Sequence, residues 1–170
     1  MPKATFEYDA LGRRIEKVDA IAGTTTRYYY DGQRVAVQTL VSGGGTESDG
    51  RMFVFGNYID EVLVMHDGAG DLYYAHDHLS SPVALLDDAG AVVERYEYDA
   101  YGSVQILTSA FYPLASSQYG NPYTFTGREL DTMDNNTLRA DVLPRPHLRP
   151  PNRQVYAEGS AGHQPRRQEH

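Results

Sequence analysis

The chain has 170 residues, with 23 acidic against 15 basic side chains and a net charge of −8. That field repels nucleic acid and anionic lipid, and with no cysteine the disulfide frameworks, thiolate zinc sites and thiol catalysis are excluded as well. No apolar run reaches the roughly 18 residues of a membrane span, and Met1-Pro2-Lys3-Ala4-Thr5 enters strand-like sequence without the apolar stretch of a secretory signal.

Fourteen tyrosines, 16 glycines and no tryptophan, with the tyrosines alternating with small or charged residues, predict many short antiparallel strands. In chain order, Phe6 and Tyr8 share one face of a first strand, which Asp9 and Gly12 turn into the strand from Arg14 to Val18. Arg27-Tyr28-Tyr29-Tyr30-Asp31-Gly32-Gln33-Arg34-Val35 repeats that phrase, and Arg95-Tyr96-Glu97-Tyr98-Asp99-Ala100-Tyr101-Gly102 gives a third copy. Between them, residues 42–50 read as a flexible Gly/Ser-rich loop, followed by strands at Met52 to Phe55 and Tyr58 to Met65. Further hairpins turn at His66 to Asp71 and at Asp87-Asp88-Ala89-Gly90. No window of helical length keeps the apolar spacing of an amphipathic helix, so the fold is predicted to be all-β and antiparallel. The text then changes. Thirteen of the 14 tyrosines precede residue 132, while five of the nine prolines follow residue 143; the net charge is −10 over residues 1–131 and +2 over residues 132–170.

The phrases Tyr-x-Tyr-Asp-x-x-Gly-Arg and Tyr-Tyr-x-Tyr-Asp-Gly resemble the YD repeat of the RHS family, shared by bacterial polymorphic toxins, insecticidal toxin complexes and teneurins. Three longer blocks follow in the order of the RHS repeat-associated core: Tyr73 to Leu85 with Asp77-His78, Arg95 to Gly102, and Asn121 to Glu129 with Phe125-Thr126-Gly127-Arg128-Glu129. Ser80 stands where that family usually has glycine, which suggests a less strained turn. The resemblance implies a β-strip spiralling into a shell around a C-terminal toxin. Its partners would be further RHS/YD repeats and that toxin, in a larger secreted or cell-surface protein. Self-cleaving aspartyl chemistry would lie beyond this chain. The domains expected are YD-type repeats over 1–41, the loop over 42–50, core-like β-hairpins over 51–131, and a non-homologous, irregular tail over 132–170.

The tail carries its own signal. Residues 142–160 can be encoded by codons whose adjacent frame reads Tyr-Tyr-Arg-Ala-Arg-Thr-Tyr-Asp-Pro-Pro-Thr-Gly-Arg-Phe-Met-Gln-Arg-Asp, the phrase with which the RHS core continues. A slip of reading frame between about Arg139 and Val142 accounts for this, and a stretch never selected to pack is expected to be disordered.

Candidate chemistry is sparse. His76 and His78, with His66 as a third donor, have strand-like His-x-His spacing, but a turn explains the block better than a metal. Asp87-Asp88, Asp60-Glu61 and Glu94 with Glu97 read as hairpin tips and solvated strand faces rather than acid/base pairs. Ser80-Ser81-Pro82 and Thr126-Gly127-Arg128 lack the strand-turn-helix setting of a hydrolase nucleophile, and Gly43-Gly44-Gly45 lacks the Lys-Ser or Lys-Thr of a phosphate loop. No catalytic residue, cofactor or metal is therefore expected. The alternative to a shell wall is a carbohydrate- or protein-binding β-module, with Tyr96 and Tyr98 as the aromatic surface.

Overall fold

Eleven strands follow one another through a single antiparallel sheet, each pairing with the strand before it. The computed structural model describes residues 4–41, 45–133 and 138–140. In chain order the strands are β1 (Ala4–Tyr8), β2 (Arg14–Asp19), β3 (Thr24–Asp31), β4 (Arg34–Val41), β5 (Glu47–Phe55), β6 (Val62–Asp67), β7 (Gly70–His76), β8 (Pro82–Leu86), β9 (Val92–Tyr98), β10 (Val104–Thr108) and β11 (Pro113–Leu114). A 3-10 turn at Phe125–Gly127 precedes a separate two-stranded pair, β12 (Asp131–Met133) and β13 (Leu138–Ala140). The fold is all-β and antiparallel, as the alternation predicts.

Four boundaries differ from the sequence reading. Residues 47–50, expected in the 42–50 loop, belong to β5; the Thr39 and Tyr29 hydroxyls bond the Glu47 carboxylate and Ser48 Oγ donates to the Leu40 carbonyl, which holds a polar stretch in the ladder. Residues 42–44 lie outside the described residues. β6 begins at Val62 rather than Tyr58, because Glu61 N donates back to Tyr58 O and closes a turn. The hairpins expected over 51–131 stop at Leu114; residues 115–130 hold no strand of the sheet and only the 3-10 turn at Phe125–Gly127. Finally, residues 132–133 and 138–140 of the expected tail are paired strands. The disorder expected beyond them, at 142–170, lies outside the described residues.

One turn is used repeatedly. At Asp9, Asp77, Asp87 and Asp99 the aspartate Oδ1 accepts the amides two and four residues on, at 2.8–3.0 Å. Its backbone N–H meanwhile donates to the carbonyl four residues on. The fourth position must be left-handed, and Gly12, Gly90 and Gly102 supply φ of +79°, +76° and +85°. Ser80 occupies that position in the Asp77 turn with φ +61°. The less strained turn expected from the sequence is not found; the hydrogen bonds of Asp77 hold serine in a conformation that costs a side-chain-bearing residue about 1–2 kcal/mol. Ser80→Gly should stabilise the protein by about 1 kcal/mol, read from denaturant melts, and no gain would show that the turn carries no such strain. Thr108 and Phe111 (φ +65°) rebuild the same turn without aspartate or glycine.

Two tyrosines that stand directly before an aspartate, Tyr30 before Asp31 and Tyr98 before Asp99, have a shared task. Tyr30 Oη donates to the Arg14 carbonyl at 2.8 Å and Tyr98 Oη to the Pro82 carbonyl at 2.7 Å, each 16 residues back. In both cases the acceptor is the first residue of the preceding strand, beyond the point where backbone pairing stops at Glu16–Arg27 or Ala84–Arg95. The phenol thus replaces ladder bonds where the strands part.

Candidate functional site

After β11 the chain turns back and crosses one face of the sheet as a strap. Gln118 N donates to Glu94 Oε2 on β9 at 2.8 Å, and Asn121 Oδ1 accepts Tyr74 Oη on β7 at 2.7 Å. The Tyr123 ring meets Phe53 and Phe55 on β5 edge-on, with centroids 5.0 and 5.8 Å apart. Thr126 N donates to the Oγ of fully buried Ser81 at 3.0 Å. Period-2 alternation had already sent Phe53, Met65, Leu72, Tyr74, Leu85 and Tyr96 to this face, and the strap completes their burial. Gly127 (φ +67°) lies so close to Asp60 that a Cβ would overlap the Asp60 carbonyl oxygen, so only glycine fits the Phe-Thr-Gly-Arg-Glu block at that point.

The strap ends in a buried cluster of charge. Arg14 on β2 donates to both carboxylate oxygens of Asp131 at 2.6 and 2.7 Å and to Glu129 at 3.1 Å, while Lys17 lies 3.4 Å from Asp131. Tyr28 Oη and Gln38 Nε2 each donate to Glu129 Oε1 at 3.3 Å. The Arg14 guanidinium also covers the rings of Phe6 and Tyr28. Burial pulls down the Arg14 pKa, but the charges of Glu129 and Asp131 outweigh it and hold the group above its ordinary value. Burial raises the Glu129 carboxyl, opposed by Arg14. Burial likewise raises the Tyr28 phenol, and the Glu129 charge adds to it. These charges bond one another and the sheet, an arrangement suited to fastening rather than to reaction.

The remaining candidates are placed as follows. Asp87 caps its own turn, and Asp60 pairs with Arg128 at 3.2 Å. Glu97 is exposed, but Glu94 is not on a solvated face: it is fully buried, accepting the Tyr96 hydroxyl and the Gln118 amide. Tyr96 is buried and Tyr98 half-buried with its hydroxyl engaged, so neither forms the exposed aromatic surface expected of a sugar-binding face. Residues that sequence reasoning missed as a group are Arg14, Lys17, Glu129 and Asp131; the block containing Glu129 was visible, its partners were not.

The histidines do not converge. His66 Nδ1 pairs with Asp71 at 2.6 Å, His76 ends β7 and stacks on Tyr74, and His78 lies in the Asp77 turn. Among the described residues no group of three His, Asp or Glu side chains is placed to hold a metal ion. His76 Nε2 is buried without a hydrogen-bond partner, and burial lowers its pKa below the ordinary 6.5 against the opposing charges of Glu61 and Asp77. The unfolded chain therefore takes up the proton first as pH falls. The contribution is fully present above about pH 6.5 and is lost as pH drops below it. Thermal unfolding at pH 7.5 and 5.5 should show a destabilisation on acidification that shrinks in His76→Phe; an unchanged pH difference in that variant would refute the assignment.

Comparison with known proteins places the sheet. The teneurin YD-shell family profile matches residues 2–112. The chain belongs to the teneurin YD-shell family. The tRNA3(Ser)-specific nuclease WapA of Bacillus spizizenii is 29% identical over 104 residues, 60% of this chain and 4% of that protein. The tRNA nuclease WapA of Bacillus subtilis is 30% identical over the same shares. Mouse teneurin-4 is 21% identical over 143 residues, 69% of this chain and 5% of that protein. The YD-shell segment described here thus spans 4–5% of the length of these relatives. The crystal structure of TcdB2-TccC3 aligns at 22% identity with a TM-score of 0.42, covering 62% of this chain and 5% of that one. Among the described residues no helix is long and apolar enough to cross a membrane.

Proposed function

We propose that the chain is a wall segment of a YD-repeat β-shell that encloses a C-terminal toxin within a larger secreted or cell-surface protein. The observation that carries this reading is the strictly sequential sheet whose outer strands, β1 and β11, each have one neighbour among the described residues, in a chain of the YD-shell family. A sheet built this way extends by adding hairpins at either end. The nuclease names of the WapA relatives support a toxin as cargo, with the activity borne outside the wall. The wall itself supplies shape and enclosure, and any self-cleaving aspartyl chemistry belongs to sequence beyond residue 170.

The coding DNA tests the reading. Its flanks should encode further YD repeats upstream and a variable toxin downstream. The frame adjacent to residues 142–160 should read Tyr-Asp-Pro-x-x-Gly-Arg-Phe. Flanks without YD repeats would sink the wall assignment, and an adjacent frame without that phrase would sink the frame slip. Isolated, the chain should associate through its unpaired edges, giving a concentration-dependent mass in analytical ultracentrifugation.

A further inference from the structure

Met52, Val54 and Tyr73 do not belong to the face that the strap covers. They alternate along β5 and β7 with Phe53, Leu72 and Tyr74 of the covered core, so they lie on the opposite side of the sheet, where they are 50%, 56% and 41% exposed. The register extends them into two rows. Val54 stands opposite Val64, Val64 opposite Tyr73, Tyr73 opposite Leu86 and Leu86 opposite Val92, one apolar residue on each strand from β5 to β9. In the adjoining row Tyr29, Val37 and Met52 are opposite one another on β3 to β5. An antiparallel sheet with one face in water places polar side chains on that face. Here both faces are apolar, and the strap covers one of them.

These rows carry no charge, and the charges that border them are spent on one another: Arg27 pairs with Glu16 and Glu47, and His66 pairs with Asp71. A partner held by charge has nothing to pair with in the rows. An extended peptide spans one strand's width and leaves most of the face in water. A second sheet with the same pleat and twist matches it, packing about 10 Å away at about 30° to it, and another copy of the chain supplies such a sheet. Residues 1–131 carry a net charge of −10, so two copies repel one another through charged surface but not through this face. From strand spacing and rise the face measures about 25 Å by 20 Å, or roughly 500 Å². Two copies face to face would remove about 1,000 Å² from water, the least that a specific pair buries, so the contact is a weak and reversible one.

We propose that this outer face is an interface between two copies of the chain, packed sheet against sheet about a two-fold axis. The proposal does not depend on the shell-wall reading, since it concerns one face of this chain alone, and the coding DNA that tests that reading leaves it untouched.

Sedimentation of the full chain over about 5–500 µM tests it. The first step of association should be a dimer with a dissociation constant on the order of 10⁻⁵ M. Val54→Glu and Met52→Lys each bury two like charges in that dimer and should weaken it at least about a hundredfold. Both positions are exposed in the single chain, so the melting temperature of the dilute variants should stay close to that of the wild type. Leu11→Glu, in the exposed β1–β2 turn and off this face, should leave the dimer unchanged. Association through the β1 and β11 edges runs on past two copies and is blind to the face variants. If neither charge is tolerated by the fold, Val54→Thr keeps the shape and should still weaken the dimer several-fold. A chain that stays monomeric to the highest concentration, or a first step undiminished in a folded Val54→Glu, Met52→Lys or Val54→Thr, would overturn the proposal.

Discussion

Arg14→Ala should cost about 3–5 kcal/mol of stability at neutral pH, the loss expected when one partner is removed from a buried ionic cluster. Arg14 supplies the short bonds to Asp131 and the bond to Glu129, so its removal leaves two carboxylates beside one another, with Lys17 near Asp131 and the neutral donors Tyr28 and Gln38 on Glu129. The sign of the pH dependence follows. Arg14 stabilises only ionised partners, so variant and wild type should converge as acid protonates them. Since burial raises the Glu129 carboxyl above its ordinary value of 4.5, convergence should begin above that pH. Chemical denaturation across pH 4–8 checks this. A loss under about 1 kcal/mol at pH 7 would mean that the cluster is solvated and does not fasten the strap.

Glu94→Ala should cost about 2–4 kcal/mol, because it strands the buried Tyr96 hydroxyl and the Gln118 amide and leaves a void beneath the strap. Burial already raises the Tyr96 phenol, and the Glu94 charge raises it further. Glu94→Gln keeps the volume and one acceptor and should cost about 1 kcal/mol. If the two substitutions behave alike in denaturant melts, the hydrogen bonds contribute little and the carboxylate only fills space. Hydrogen exchange at Gln118 separates strap release from global unfolding: in Glu94→Ala its amide should lose protection before those of β8 and β9.

The hairpins were legible in the sequence because their determinants are local. An aspartate that caps its own turn and a glycine at positive φ lie within five residues of each other, so Asp9, Asp87 and Asp99 announce their turns without reference to the rest of the chain. Ser80 shows the limit of that logic. The four bonds made by Asp77 set the backbone, and the residue follows whatever its own preference. Glu94 was readable in principle: it lies two positions before Tyr96 and so shares the covered face, but a charged residue on a strand of alternating pattern reads as solvated until its cover is known. The strap itself was hidden. Its anchors join residues separated by 117, 101 and 91 positions, and neither Glu129 nor Asp131 carries a local signature of the side chains it meets.

The sequential order of β1 to β11 has a consequence for how the molecule is made. Every strand pairs with the one synthesised just before it, so the sheet can be laid down hairpin by hairpin as the chain leaves the ribosome, with only short loops to close at each step. The strap breaks that economy: Asp131 must find Arg14 across the whole of the intervening chain. Until it does, Phe53, Leu72, Tyr74 and Leu85 lack their cover, and a nascent sheet presents an apolar face together with an unpaired edge. Docking of the strap is therefore the slow, last-placed step, and the interval before it is when the chain is open to capture by a chaperone or by another copy of itself.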